Sequence, residues 1–229
     1  MSDCCTAMSD GRPERAIGRP LSREAFGEQI GVSRETLARL SIHLELLRRW
    51  QPAINLVGPA SLSDPWRRHF LDCAQLATHV PRASGPATTC IDVGSGAGFP
   101  GMVLALLGVS GVHLIESDRR KAQFLREVAR ATGAPVTIHA ERLEHLRPWP
   151  AGLITARALA PLPRLLQLVE PFVASDSVCL FLKGGSVARE LTEARQSWHM
   201  VAERSPSLAH PAGVVLKLQG VRRACDRQS

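Results

Sequence analysis

Residues 90–101 read Cys-Ile-Asp-Val-Gly-Ser-Gly-Ala-Gly-Phe-Pro-Gly, and this stretch limits the chain to few folds. A short apolar run ends near an acid, Asp92, and Gly94, Gly96 and Gly98 then alternate ahead of a second apolar run. That order predicts a buried strand, a tight turn and a helix N-terminus, the arrangement by which α/β folds hold an adenosine cofactor. Glycines in such a turn adopt φ > 0 and let the backbone approach a ligand. Pro100 falls near the first helical turn, where its missing N–H costs nothing.

Two cofactors are compatible with the turn. The run from Gly96 to Gly101 has the G-x-G-x-x-G spacing of NAD or FAD folds. Asp92-x-Gly94-x-Gly96-x-Gly98 fits S-adenosylmethionine instead. A carboxylate at a strand end facing the turn repels a pyrophosphate but suits an ammonium and a sulfonium. The acid therefore favours the methyl donor, with a ligand-free glycine turn as the bland alternative.

After Pro86 the pattern alternates between strands and helices. Strands are expected at 88–93, 111–116, 135–139, 152–156 and 177–183, with helices near 100–108, 118–132, 161–172 and 186–197. Two more strands, about 198–204 and 213–219, follow with no helix between them. The fold class expected is α/β: a doubly wound, seven-stranded, mostly parallel sheet of the Rossmann-like methyltransferase type, with an antiparallel hairpin at one edge. Ahead of it, Ser33 offers an N-cap to a helix with Leu37, Leu40, Leu44, Leu47 and Trp50 on one face, stopped at Pro52. A second helix should open at Asp64-Pro65 and run to about His79. The domain plan is a disordered tail (1–20), a helical extension (21–85), the α/β domain (86–220) and a mobile basic tail (221–229).

Lys and Arg number 28 against 21 Asp and Glu, a net charge of +7 that favours a polyanionic partner such as nucleic acid. The excess is spread along the chain, so a generally basic enzyme is the plain alternative. The six cysteines form no C-x-x-C pair and no zinc spacing, so reduced thiols and no metal are expected. Neither a signal peptide nor a membrane-spanning run is visible, which points to a cytoplasmic location.

Glu116 ends the second strand, 18 residues beyond Gly98, where an acid can accept hydrogen bonds from ribose hydroxyls. Arg119, Arg120 and Lys121 crowd the first turn of the next helix against its dipole, which a nearby phosphate would relieve, with a solvated face as the plain alternative. Leu143 and Glu144 follow the third strand and could frame an adenine ring. Arg157 ends the fourth strand at the carboxyl edge, where a substrate enters a doubly wound fold. The run there is not Asn-Pro-Pro-Tyr-like, as for exocyclic amines, and no Pro-Cys pair serves carbon methylation. An arginine suits an acceptor that needs clamping but no deprotonation, and guanine N7 is one. Lys183, before Gly184-Gly185, could meet a phosphate or merely end its strand. Arg68 and His69 could help seat RNA, or Arg68 could form an i,i+4 ion pair with Asp72.

Taken in order, Trp50…Asn55-Leu56, Arg68-His69-Phe-Leu-Asp72, Asp92 through Gly101, Glu116-Ser, Thr155-Ala-Arg157-Ala and Leu182-Lys183-Gly184 resemble the RsmG (GidB) family of bacterial 16S rRNA guanine-N7 methyltransferases. The resemblance runs from about Leu37 to about Leu218. It implies methyl transfer from S-adenosylmethionine, leaving S-adenosylhomocysteine, to N7 of one guanine in the decoding-region loop of 16S rRNA. The partner is then 16S rRNA or the small ribosomal subunit, for a protein expected to be monomeric. By position, Gly94 and Phe99 would line the methionine and adenosine pocket, Glu116 would hold the ribose, and Leu143 and Glu144 would frame the adenine. Arg157 would stand beside donor and substrate. Gln51, Ile54 and Glu116 depart from the family's usual Asn, aromatic and Asp. An NAD-linked oxidoreductase and a non-catalytic RNA-binding protein are the rival readings.

Overall fold

A computed structural model describes residues 19–80 and 89–224. Its strands are β1 (Cys90–Val93), β2 (Val112–Ile115), β3 (Val136–His139), β4 (Ala151–Arg157), β5 (Val173–Lys183), β6 (Trp198–Pro206) and β7 (Val214–Arg223). They form one sheet in the order β3-β2-β1-β4-β5-β7-β6. The first five strands are parallel, and β7 runs antiparallel between β5 and β6. All seven expected strands are present, as is the closing antiparallel pair. The chain leaves β1 toward β2 and leaves β4 toward β5. Their carboxyl-end loops therefore part and open a crevice.

Side chains alternate across a strand, and the parity of β1 and β4 sorts the two cores. Ile91, Val93, Ile154 and Ala156 belong to the core with α6 (Leu162–Val169) and α7 (Val187–Ala194). Cys90 and Leu153 belong to the opposite core, with α4 (Gly101–Leu106), α5 (Arg119–Thr132) and the N-terminal helices. Asp92, Thr155 and Arg157 share this second parity. Asp92 stands opposite Thr155 in the register, and Arg157 lies two residues further along β4. The arginine is thus on the side where the helical extension packs.

That extension begins with α1 (Arg23–Ile30), which the sequence pattern had not revealed, and continues with α2 (Arg34–Ile54). The Ser33 hydroxyl accepts from the Thr36 N–H at 3.1 Å and caps α2 as expected. Leu40, Leu44 and Leu47 are buried, with Leu37 and Trp50 packed against the same core. Pro52 does not stop the helix. It removes one donor from the last turn, and the stop comes at Asn55, in the left-handed region at φ 43°. Gln51 secures that end: its amide oxygen accepts from Leu56 and Val57 N–H at 2.9 and 3.0 Å, and its amide nitrogen donates to the Val57 carbonyl at 2.6 Å.

The expected second helix is also corrected. Trp66–Leu71 forms a π-helix, α3 (Asp72–Ala74) a single α turn and Gln75–His79 a 3₁₀ turn. The wider π turn lets Trp66, His69, Phe70 and Leu71 all be buried. At the other end, Arg222 and Arg223 are not tail residues but belong to β7. Arg223 makes two 2.6 Å contacts with Glu170 and lies over the Trp198 ring. The proposed disordered tail falls almost wholly at 1–18, outside the described residues, as do the boundary segment 81–88 and the end of the basic tail, 225–229.

Gly101 opens α4 against β1, and a Cβ there would lie 2.5 Å from both the Asp92 Cβ and a Leu114 methyl. Gly184 by contrast faces open space. Gly101→Ala should therefore cost about 1–3 kcal/mol of stability. Gly184→Ala should stay within about 0.5 kcal/mol of the wild type. Denaturant unfolding of the two variants checks this difference.

Candidate active site

The crevice over β1 and β4 opens into a cleft of about 1010 Å³. Its floor is the glycine turn. Gly94, Gly96 and Gly98 have φ values of 68°, 56° and 85°, which side chains rarely adopt. The Gly96 α-carbon faces nothing nearer than the Gly94 carbonyl, at 3.8 Å from where a Cβ would stand. The turn thus presents bare backbone, as close approach of a cofactor requires. A second cavity of about 240 Å³ lies on the other side of Gly94 and Leu159, both of which line the two spaces. Leu143 and Glu144, on the 3₁₀ turn Leu143–His145, line this smaller cavity with Ser117 and Arg164.

Glu116 holds the turn from beside it. Its carboxylate accepts from the Gly96 N–H and the Asp118 N–H, each at 2.8 Å. Glu116 is 7% exposed and lines neither cavity, so both of its oxygens are turned to the backbone of the turn and of the α5 cap. Asp92 is not a wall of either cavity, which corrects the expectation that it faces the ligand. Its parity aims it at α4, beneath the turn, and it is fully buried. One oxygen accepts from Thr155 Oγ1 at 2.8 Å, while the other has no hydrogen-bond partner. Burial pushes its pKa up to about 6, against the pull of Thr155, Ser95 and the Gly101 N–H.

Phe99, at the end of the turn, is the hub of an aromatic stack. His43 of α2 and His69 of the π turn each lie nearly parallel to its ring, with centroids 5.0 Å away. The Arg157 guanidinium sits over the same ring at 4.8 Å from its centroid. Arg157 Nη1 donates to the Arg68 carbonyl at 3.3 Å and to His69 Nδ1 at 3.2 Å, and lies 3.5 Å from an Asp72 oxygen. Asp72 therefore pairs with Arg157 rather than with Arg68. Desolvation raises the Asp72 pKa, although Arg157 and Ser207 oppose the shift. His43 carries no polar signal in the sequence beyond a place beside the leucine stripe. It is fully buried, with Nε2 2.8 Å from the Ala97 carbonyl, and burial lowers its pKa to about 4.

The remaining expectations divide. Arg68 lines the cleft, in reach of an incoming ligand. His69 does not present a free edge to RNA, because both ring nitrogens are engaged and the residue is 5% exposed. Lys183 lines the cleft but is committed: its ammonium donates to the Ala160 carbonyl at 2.7 Å and to Glu190 at 2.8 Å. It ties down the β4–α6 loop, with Glu190 also accepting from the Leu162 N–H, in place of the free phosphate contact expected. Arg119, Arg120 and Lys121 stand at the start of α5, capped by Asp118, and line neither cavity. Sequence reasoning missed His210, Ala209 and Gly213 of the β6–β7 turn, which close the cleft's far wall. Ser207 Oγ, hydrogen-bonded to Asp72 at 3.3 Å, joins that turn to the π segment.

The family model described as GidB, rRNA small subunit methyltransferase G, matches residues 36–214. The chain belongs to this family. It is 54% identical over 196 residues to the ribosomal RNA small subunit methyltransferase G of Rhodospirillum centenum, covering 86% of this chain and 89% of that one. With the protein of the same name from Rhodospirillum rubrum it shares 49% over 204 residues, 89% of this chain and all of that one. Solved structures share the fold at low identity. The ribosomal protein L11 methylase of Lactobacillus delbrueckii aligns with a TM-score of 0.52 at 20% identity, covering 65% of this chain and 78% of that one. The glycopeptide N-methyltransferase MtfA, solved with S-adenosylmethionine, aligns with a TM-score of 0.54 at 11% identity, over 66% and 94%. The family is one of S-adenosylmethionine-dependent methyltransferases, and the oxidoreductase reading of the glycine spacing is set aside. No group of metal ligands exists among the described residues, and no helix there is long and apolar enough to cross a membrane.

Acid should loosen this site through its histidines. His43 and His69 titrate at about 4 and about 3 when folded, against 6.5 unfolded, so the unfolded chain binds more protons as pH falls below 6.5. Each then costs about 1.4 kcal/mol per pH unit until its folded pKa is reached. Asp92 acts with the opposite sign: raised from 3.8 to about 6, it binds its proton more readily when folded and adds stability as pH falls through that window. Asp92→Asn should therefore steepen the acid loss by about 1.4 kcal/mol per pH unit between roughly 6 and 4. Parallel stability curves for the two proteins would contradict the burial of a titrating Asp92.

Proposed function

We propose that this protein methylates N7 of a guanine in the decoding-region loop of 16S rRNA, with Arg157 beside both donor and acceptor. The observation that carries the reading is the setting of Arg157. It closes β4 at the carboxyl edge, lies over Phe99 at the glycine turn and lines the large cleft. Among the described residues its three hydrogen-bond contacts all use Nη1. The other donors of the guanidinium are left for a ligand.

The acceptor chemistry agrees with the side chains nearby. Asp72, His69 and Glu190 line the cleft and are each engaged by neighbours, while His210, held at Nδ1 by the Ala212 N–H, lines its far wall and is not required as a base for this acceptor. Guanine N7 has no proton to lose and offers a free lone pair. S-adenosylmethionine supplies an electrophilic methyl on a sulfonium, and the product base is a cation. Alignment of the two reactants then provides most of the acceleration. In this reading Gly94, Gly96 and Phe99 hold the methionine end, Glu116 the ribose, and Leu143 and Glu144 the adenine, while Gly98, which lines neither cavity and abuts Met102, only turns the chain into α4. Asp92 supports the turn from below. Arg68 at the cleft, with Arg119, Arg120 and Lys121 further out, meets rRNA phosphates in a protein that acts as a monomer.

Three outcomes are expected. Arg157→Ala should lower transfer of labelled methyl to 16S rRNA by about a hundredfold in a protein that still folds, at a stability cost of about 1–3 kcal/mol for the partners left without their donor. The wild-type rate should not climb tenfold per pH unit between about 6 and 8, since no general base is needed. Wild-type turnover by Arg157→Ala would remove the arginine from the site, and a steep pH rise would point to an amine or hydroxyl acceptor. Affinity for a 16S fragment should fall steeply with salt as counterions are released. A flat salt profile would leave the net charge of +7 without a role in binding.

A further inference from the structure

We propose that His69 is a positioning residue for methyl transfer, its two ring nitrogens joining the Arg157 guanidinium to the loop Gly58–Ser61, which also lines the cleft. The inference rests on the reading of Arg157 given above. Arginine has only donors, so the 3.2 Å contact from Arg157 Nη1 requires His69 Nδ1 to be the unprotonated acceptor. The ring proton is then on Nε2, which donates to Ser61 Oγ at 2.8 Å. Ser61 Oγ in turn donates to the Gly58 carbonyl at 2.5 Å. One tautomer satisfies the whole chain, from guanidinium to loop backbone.

Packing fixes the ring in its plane. His69 lies at 16° to Phe99, on the same ring that Arg157 covers. Protonation would put a donor and a positive charge against the guanidinium. Burial first, then the charges of Arg157 and Arg68, hold the pKa down at about 3, so the acceptor persists at neutral pH. Asp72 is a weaker hold, at 3.5 Å and shared with Gln75 and Ser207. Without the Nδ1 acceptor, Nη1 would keep the Arg68 carbonyl and this long ion pair, and the free donors would lose their fixed direction into the cleft.

A double-mutant cycle tests the proposal, using single-turnover methyl transfer at saturating S-adenosylmethionine and 16S rRNA. His69→Leu should slow transfer about tenfold in the wild-type background and add nothing in the Arg157→Ala background. His69→Asn, whose amide oxygen falls near the position of Nδ1, should recover most of the rate. Ser61→Ala, at the far end of the chain, should slow transfer about threefold, again only when Arg157 is present. It reads the same coupling should His69→Leu not fold. Equal losses in both backgrounds, or a wild-type rate in folded His69→Leu, would overturn the proposal. So would His69→Asn no faster than His69→Leu. A wild-type rate in Arg157→Ala alone would instead overturn the underlying role of Arg157.

Discussion

The Phe99 ring, pressed between His43 and His69 with the Arg157 guanidinium above it, joins four distant parts of the chain at one point. α2 supplies His43, the π turn His69, the glycine turn Phe99 and β4 the arginine. Each partner contributes dispersion and, for the arginine, attraction to the ring quadrupole. Three of the four, His43, His69 and Arg157, are also hydrogen-bonded to elements they do not belong to, through the Ala97 carbonyl, Ser61 and the Arg68 carbonyl. The helical extension is thereby a wall of the cleft built onto the sheet edge.

The sheet makes this possible through parity alone. With Asp92 and Thr155 in register, Arg157 must emerge on the side of α4 and the extension. The same parity drives the Asp92 carboxylate into the protein instead of toward the ligand. A buried acid with one unpartnered oxygen is costly, and its retention at the base of the turn is consistent with shaping the loop above it. Lys183 and Glu190 do comparable work on the neighbouring loop, where they hold the Ala160 carbonyl and the Leu162 N–H.

Much of this was legible in the sequence. The seven strands showed because buried parallel strands are short apolar runs set between amphipathic helices, and the glycine turn showed because only glycine tolerates its φ values. Glu116, Leu143, Glu144 and Arg157 stood out as candidates because they lie at or just beyond strand ends, which the pattern marks. What escaped was tertiary. Gln51 makes good the end of a helix that contains Pro52, a side-chain rescue invisible to propensity. The π turn at Trp66–Leu71 shifts which residues face inward, so His69, a candidate for seating RNA in the sequence, is instead a buried partner of Arg157. Lys183 read as a free cation because Glu190, seven residues on, is brought back only by the turn into α7. His210 lay in a loop with no periodic signal at all.

The central claim is that a cleft with an anchored arginine delivers a methyl group to a guanine N7, an acceptor that needs no base. Mass-spectrometric mapping of unmodified 16S rRNA, free or in small subunits, after incubation with this protein and S-adenosylmethionine tests it most directly. The account predicts N7-methylguanosine at a single guanine of the decoding-region loop and no other new methyl group. A methyl found on an exocyclic amine, a ribose hydroxyl or a pyrimidine carbon, or RNA left unmodified by folded protein that binds the cofactor, would contradict it.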